Sequence, residues 1–381
     1  MLRRWLGVAS VAIGIFALVT TEMLPVGLLP AVGTALGVSD GTAGLTVMVP
    51  GLVAAIAAPL LTVAGGRLDR RVVLSALVAL LAAGNLVSAL APSFSILLAA
   101  RVVIGICIGG FWAIAGSLAV RLVPQEEVGR ATSLILGGVA TASVLGVPAG
   151  TLIGEVAGWR TAFAAAGFLA IAVAVALAAL LPRLPATQTI HLGMLPGQLG
   201  NPGVRAGILA TFLVVTGHFS AYTFVSPILR QVSGIHGSVV GSLLLAYGVA
   251  GIVGNFVAGT AADRDVRRTL LIITGALGAV MLLMPVLGNG KIGGVALLVA
   301  WGLAYGGVSV SLQTWVLKTA PRTLEAANAL FVMSFNLSIS LGALIGGRVV
   351  DGVGTRSVLW LGGTLVLLTA APIWRRPAAA P

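Results

Sequence analysis

Twelve times along its 381 residues this chain presents an apolar run of roughly twenty residues, the length an α-helix needs to cross the ~30 Å hydrocarbon core of a bilayer. The runs fall near 5–30, 41–64, 72–91, 93–120, 131–154 and 160–181, and again near 206–229, 238–261, 269–287, 293–317, 325–347 and 354–374. Lipid offers no hydrogen bonds to a backbone, so such runs fold as helices that satisfy their own amides and carbonyls. With 58% apolar and only 8% charged residues, a soluble domain of this size would lack polar surface. The predicted fold class is all-α integral membrane, with twelve transmembrane helices in two pseudo-symmetric six-helix bundles, 1–181 and 206–381, joined by a linker over 182–205.

Arg3 and Arg4 precede the first run in the manner of a signal peptide, but no small-x-small cleavage site follows, and the run is read as a retained first helix. Cytoplasmic loops carry the Lys and Arg excess. With the amino terminus placed inside, sixteen of the 22 basic residues fall in inner loops, five in outer loops, and Arg101 inside a helix. This predicts a bacterial inner membrane protein with both termini cytoplasmic. The basic residues are scattered rather than gathered into a stripe with aromatics, so the net charge of +12 does not indicate nucleic acid. Cys107 is the single cysteine, which leaves no intrachain disulfide and no cysteine metal cluster.

The second half echoes the first at a shift of about 192–197 residues, a parallel repeat of the kind transporters use. After the second span the chain reads Gly65-Gly66-Arg67-Leu68-Asp69-Arg70-Arg71. After the eighth it reads Gly259-Thr260-Ala261-Ala262-Asp263-Arg264-Asp265-Val266-Arg267-Arg268, which pairs Asp69 with Asp263. Arg121 and Pro124 recur as Lys318 and Pro321, and Gly150 and Gly154 as Gly342 and Gly346. Acids contribute little to topology. Asp69 and Asp263 therefore suggest gating contacts with Arg70, Arg71, Arg264 and Arg267, the alternative being plain topology signalling by positive charge.

In the fifth span Gly138, Ala142, Gly146, Gly150 and Gly154 recur every four residues, a stripe of small residues that lets another helix approach closely, with Pro148 adding a kink. Ser334, Ser338, Gly342 and Gly346 repeat the stripe in the eleventh span. By symmetry the two halves are expected to meet and rock along these faces.

Of the ten acids only Glu22 lies well inside an apolar span, and Arg101 is its single basic counterpart. A charge at such depth costs on the order of 2.5–3.5 kcal/mol on insertion scales, so it usually marks a functional path. Counted from the outer helix ends, both residues lie about 12 Å deep and can meet. Desolvation and a neighbouring guanidinium act oppositely on a carboxyl, and a balance between them lets it exchange protons near neutral pH. The alternatives are a structural ion pair and a site for cationic substrates. His218, Tyr222 and Ser226 form a polar face on the seventh span, with Tyr247, Trp301 and Tyr305 at similar depths. Together with Met23, Trp112 and Asn336 these are the expected substrate-binding residues of a mostly apolar cavity. His191 and His236 are read as loop residues.

With these features in view the chain resembles the major facilitator superfamily over nearly its whole length, specifically its twelve-helix drug:proton antiporter branch. Thr21-Glu22-Met23-Leu24-Pro25-Val26-Gly27-Leu28-Leu29-Pro30 resembles the first-helix signature of the sugar and drug efflux subgroup that includes arabinose and purine ribonucleoside exporters. Arg101 with Gly105 resembles the fourth-helix motif, and Gly146-Val147-Pro148-Ala149-Gly150 the antiporter motif of the fifth helix. The resemblance implies proton-coupled efflux of a small drug-like molecule, sugar or nucleoside by alternating access, with Glu22 and Arg101 in the coupling role. It implies no cofactor other than the proton as coupling ion, a small-molecule substrate and membrane lipid as partners, and a functional monomer. An uncoupled facilitator would show the same repeat. An integral-membrane enzyme finds no His-Glu-x-x-His, no paired His at helical spacing and too few acids for general acid/base pairs in the sequence.

Overall fold

The computed structural model describes residues 2–64, 68–115, 118–124, 127–185, 197–236, 239–320 and 324–374. Outside the described residues lie 65–67 of the second inner loop, 186–196 of the linker with His191, Pro321 and Arg322, and Arg375 and Arg376.

The helices are α1 (Leu2–Leu36), α2 (Leu45–Ala64, led in by a single turn at Asp40–Ala43), α3 (Arg70–Leu90) and α4 (Phe94–Ala115). Next come α5 (Val128–Thr141 continuing into Val147–Ala157), α6 (Trp159–Leu180) and α7 (Pro202–Tyr222, then Val225–Gln231). Then follows one stretch of 49 helical residues, Val239–Leu287, a rise of about 74 Å and more than twice the hydrocarbon thickness. Its backbone leaves helical geometry at Asp265 (φ −148°, ψ 93°), which divides it into α8 (239–264) and α9 (266–287). The chain ends with α10 (Lys291–Gly306 and Val308–Thr319), α11 (Leu324–Gly352) and α12 (Thr355–Leu368 and Ala370–Trp374). Eleven stretches are long and apolar enough to cross a membrane, and the divided one supplies two, so the described residues hold the twelve expected passes.

Two compact units result, one of Met1–Gly37 and Val49–His191, the other of Val38–Met48 and Leu192–Pro381. In the first, α1 packs on α5 and α6, and α3 on α4 and α6; in the second, α7 packs on α11 and α12, and the α8–α9 stretch on α10 and α12. Adding six to each helix number of the first set gives the second. The backbone carries the same duplication. Among the described residues the positive-φ positions are four glycines: Gly37 (66°) and Gly234 (63°), 197 residues apart, and Gly158 (88°) and Gly354 (114°), 196 apart. They end α1 and follow α7, and they separate α5 from α6 and α11 from α12, in tight turns that a side chain would strain. Within the second unit, the lead-in to α2 is held by Asp351 at the end of α11, which accepts Ser39 Oγ at 2.6 Å and the Gly41 amide at 3.0 Å.

The small-residue stripes have partners in their own units. A methyl group on Gly138 would strike the Ala12 carbonyl, on Gly146 Thr20 Oγ1, on Gly150 Leu24 and on Gly154 Leu28, so the α5 stripe seats α1 of its own unit. Likewise Gly342 faces the Thr216 carbonyl (2.7 Å from an added Cβ) and Gly346 the Ser220 carbonyl, so the α11 stripe seats α7. The stripes thus build each unit from within. Just before Pro148 the α5 helix widens into one π turn, Ala142–Gly146, which accommodates a proline that brings no N–H and crowds the preceding turn.

The loops after α2 and α8 also serve their own units. Asp69 caps α3, accepting the Arg71 amide at 2.9 Å, and accepts the Leu184 amide at 3.1 Å, while the Arg70 amide donates to the Leu184 carbonyl at 2.9 Å. Arg71 Nη2 donates to the Ala178 carbonyl. The chain leaving α6 is thereby tied to the start of α3. In the second unit Arg267 Nη2 donates to the Trp374 carbonyl at the end of α12 (2.7 Å) and lies over the Trp374 ring. The capping acid here is Asp265, whose Oδ1 accepts the Arg268 amide at 2.9 Å, and not Asp263, which is exposed like Arg264. Asp263 contributes its backbone carbonyl, which with that of Ala262 accepts Lys318 Nζ at 3.1 Å. The structural counterpart of Asp69 is therefore Asp265, two residues beyond the acid that the sequence repeat suggests.

The glycine contacts rank two substitutions. At Gly346 an added methyl meets backbone, with the Ser220 carbonyl carbon at 2.8 Å, whereas at Gly150 it meets the tip of the Leu24 side chain, which can rotate. Gly346→Ala is expected to destabilise by ~1–3 kcal/mol and Gly150→Ala by clearly less. Thermal unfolding of the detergent-solubilised variants checks the order, and equal midpoints would contradict it.

Candidate functional site

Inside the first unit, Arg101 of α4 reaches α1 beside Glu22, and the link between the helices there is through backbone. Arg101 is fully buried and Glu22 is 6% exposed; among the described residues they are the two buried carboxylate or guanidinium side chains. Arg101 Nη1 donates to the Thr21 carbonyl at 3.0 Å, and no hydrogen bond joins it to the Glu22 carboxylate next along the chain. The guanidinium is thereby held one residue from Glu22 along α1. Phe163 of α6 places its ring face against the guanidinium, 5.2 Å from centroid to Cζ, and Nε and Nη2 are buried without hydrogen-bond partners. A cation over an aromatic face is stabilised by the ring quadrupole, more so when both are out of water.

Thr21 is held from a second side. Its hydroxyl accepts Asn85 Nδ2 of α3 at 3.1 Å, and the same amide donates to the Leu81 carbonyl at 3.0 Å. Asn85 and Phe163 were not singled out in the sequence. Asn85 carried a signal, a carboxamide in an apolar span; Phe163 carried none. Gly105, one turn after Arg101, lies 2.6 Å, measured from an added Cβ, from the Pro50 carbonyl, so α4 meets α2 backbone to backbone there. Cys107 is buried in the apolar core of this unit, against which Met23 and Trp112 pack half-buried.

Inside the second unit, five of the expected binding residues form one aromatic group. Tyr305 stacks on the His218 ring at 3.4 Å with planes 8° apart, His218 on Tyr222 at 5.0 Å and 20°, and Tyr222 on Tyr247 at 4.9 Å and 25°. Trp301 meets His218 edge-on and its indole Nε1 donates to His218 Nδ1 at 3.0 Å. An indole N–H can only donate, so Nδ1 carries the lone pair and the neutral imidazole carries its proton on Nε2. His218 is fully buried, and its Nε2 and the Tyr247 hydroxyl have no hydrogen-bond partner. The i, i+4 spacing on α7 places His218 and Tyr222 on one face, but α7 breaks after Tyr222, so Ser226 belongs to the following segment. Asn336, half-buried on α11, donates to the Val332 carbonyl of its own helix at 2.9 Å. His236 is exposed and lies outside the helices.

Chemically, the first unit offers a carboxyl placed beside a fixed cation away from bulk water. The second offers flat aromatic surface with one buried N–H and one hydroxyl still to be satisfied. Among the described residues no cluster of His, Cys, Asp and Glu could hold a metal ion.

Comparison with known proteins agrees with this architecture. The sequence pattern of the Major Facilitator Superfamily matches residues 11–323 and 207–381. The purine ribonucleoside efflux pump NepI of Escherichia coli O6:K15:H31 (strain 536) is 35% identical over 366 residues, covering 96% of this chain and 92% of that protein. A Pseudomonas aeruginosa protein named transcription regulatory protein OpdE is 35% identical over 373 residues with the same coverage. Among solved structures, a bacterial homologue of the human lysosomal transporter Spinster superposes with a TM-score of 0.76 at 18% identity, covering 97% of this chain and 96% of that one. The human organic anion transporter MFSD10 superposes with a TM-score of 0.69 at 19% identity, covering 97% and 99%. A fold of twelve passes in two duplicated units, the matched family pattern and an efflux pump 35% identical over nearly all of both chains leave one conclusion: this multi-pass membrane protein is a transporter of the Major Facilitator Superfamily.

Proposed function

We propose that this protein exports a small planar solute of the purine nucleoside class across the bacterial inner membrane in exchange for protons, with Glu22 as the carboxyl that takes up and releases the coupling proton. The observation that carries the proposal is the placement of Glu22: a carboxyl in the middle of α1, 6% exposed, beside a guanidinium anchored to the adjacent carbonyl. Such a group changes charge with little competition from water, and a protonation that removes its charge alters the balance around Arg101. The NepI relatives, named for purine ribonucleoside efflux, support both direction and substrate class. So does the aromatic group of His218, Tyr222, Tyr247, Trp301 and Tyr305, since flat rings stack on flat bases and the unsatisfied Nε2–H and hydroxyl match acceptors on a heterocycle. The sixteen-to-five division of Lys and Arg supports cytoplasmic termini, and the duplicated fold supports transport by alternating access. No basic helix face supports reading the regulatory name of the Pseudomonas relative as nucleic-acid contact.

Purified protein in liposomes under a clamped inward proton gradient tests the proposal. Substrate-dependent proton flux is expected with purine nucleosides, and Glu22→Gln is expected to abolish accumulation against a gradient while the variant remains folded. Gradient-driven export by Glu22→Gln equal to the parent would place coupling elsewhere; nucleoside movement without proton flux would make the protein an uncoupled facilitator.

The aromatic group is tested separately. Trp301→Phe keeps a ring in place but removes the N–H that satisfies His218 Nδ1, leaving a buried acceptor unpaired at a cost of ~1–3 kcal/mol. Nucleoside affinity, followed by tryptophan-independent radioligand binding, is expected to fall about tenfold or more, against an unchanged proton dependence. Unaltered affinity would remove His218 from the binding residues.

A further inference from the structure

The residue that decides where Arg101 goes is a proline that touches neither charge. In an α-helix the amide of residue i bonds the carbonyl of residue i−4, so the Thr21 carbonyl of α1 is the one the amide of residue 25 would occupy. Residue 25 is Pro25, inside a helix that runs from Leu2 to Leu36, and a proline has no N–H to give. A carbonyl released this way and kept from water has to find another donor. The donor is Arg101 Nη1 of α4, at 3.0 Å.

The surroundings keep the released carbonyl on target. The Thr21 side chain is pinned by Asn85 of α3, itself tethered to the Leu81 carbonyl, and Thr21 is fully buried. On the α5 side Gly146 presents no Cβ, so the Thr20 side chain of α1 seats against it. Phe163 closes over the guanidinium from α6. Residue 21 is thus held by α3 and α4, and its neighbour Thr20 by α5, while Nε and Nη2 of Arg101 stay unpaired.

We infer that Pro25 is a positioning residue for coupling: by withholding one backbone amide it reserves the Thr21 carbonyl for Arg101, which holds the guanidinium beside the Glu22 carboxyl instead of on it, and so leaves that carboxyl free to change protonation during transport. The inference rests on the coupling role proposed for Glu22 and Arg101 and adds the element that sets their separation. With the amide restored, the Thr21 carbonyl closes its own helical bond, and the guanidinium loses its anchor and is left to pair with Glu22, the buried carboxylate among the described residues.

Pro25→Ala restores the amide and favours helix, and Pro25→Gly restores it without the methyl should the alanine variant fail to fold. Pro30→Ala, in the same helix, restores an amide that faces the Val26 carbonyl and controls for a general change of kink. Two readouts on the full-length protein in liposomes decide. Solid-state NMR between a 13C carbonyl label at threonine and 15N-labelled arginine, with Thr21 assigned by its loss in Thr21→Ser, is expected to show the Thr21–Arg101 contact in the parent and in Pro30→Ala but not in Pro25→Ala. Nucleoside-dependent proton flux is expected to fall about tenfold in Pro25→Ala, the size of one lost hydrogen bond to a charged group. Added to Arg101→Ala, it should cause no further loss, because both changes act on one contact. An intact contact in Pro25→Ala, or losses that add in the double variant, would overturn the inference. Parental flux in Arg101→Ala would instead overturn the coupling reading itself, and the carbonyl–guanidinium contact then still decides the role of Pro25, its loss supporting it and its persistence refuting it.

Discussion

A guanidinium with no solvent exposure, in the middle of a membrane protein, needs acceptors that the surrounding lipid cannot supply. Arg101 obtains one from backbone, the Thr21 carbonyl, and a favourable surface from the ring of Phe163. Much of the first unit is arranged so that these two are available. The carbonyl is released by Pro25, the segment carrying it is pinned by Asn85, and α5 approaches through Gly146. Because the positive charge is already engaged, the neighbouring Glu22 carboxyl is spared a full ion pair. It is this spared state, a carboxyl near a cation but not bonded to it, that makes reversible protonation an accessible event there.

The second unit repeats the construction with different chemistry. α1 seats on the glycines of α5, and α7 seats on Gly342 and Gly346 of α11. Where α1 carries a carboxyl, α7 carries His218 within a stack of tyrosines, its tautomer set by Trp301. A duplicated scaffold has thus been given a charge site in one unit and an aromatic site in the other. The four positive-φ glycines, two pairs each offset by 196 or 197 residues, show the duplication persisting in the turns even where side chains have diverged.

The sequence made some of this legible and concealed the rest for identifiable reasons. Helix number and order followed from apolar run lengths, because lipid leaves few alternatives. Glu22, Arg101 and the His218–Tyr222 face stood out as polar groups where polar groups are costly. Their partners were less accessible. Depth counting put Glu22 and Arg101 at one level, yet the nearest acceptor was a backbone atom; the missing amide of Pro25 pointed to it, but only a fold could say that Arg101 fills the gap. The spacing of small residues announced close helix packing without naming the partner, since a glycine stripe fits α1 as well as another half. Pairing Asp69 with Asp263 failed by two residues because it set the repeat at an offset of 194, whereas the flanking glycines and the two capping acids repeat at 196 or 197. The cap is set by where the helix starts, and α9 starts after Asp265.

The central claim is that Glu22 changes protonation when substrate binds, and infrared difference spectroscopy of the purified transporter reads this directly. On addition of a purine nucleoside at fixed pH, the account predicts a change in a protonated-carboxyl band that shifts with H₂O/D₂O exchange and is missing in Glu22→Gln. A nucleoside-induced spectrum with no carboxyl band, or one that survives in Glu22→Gln, would contradict it.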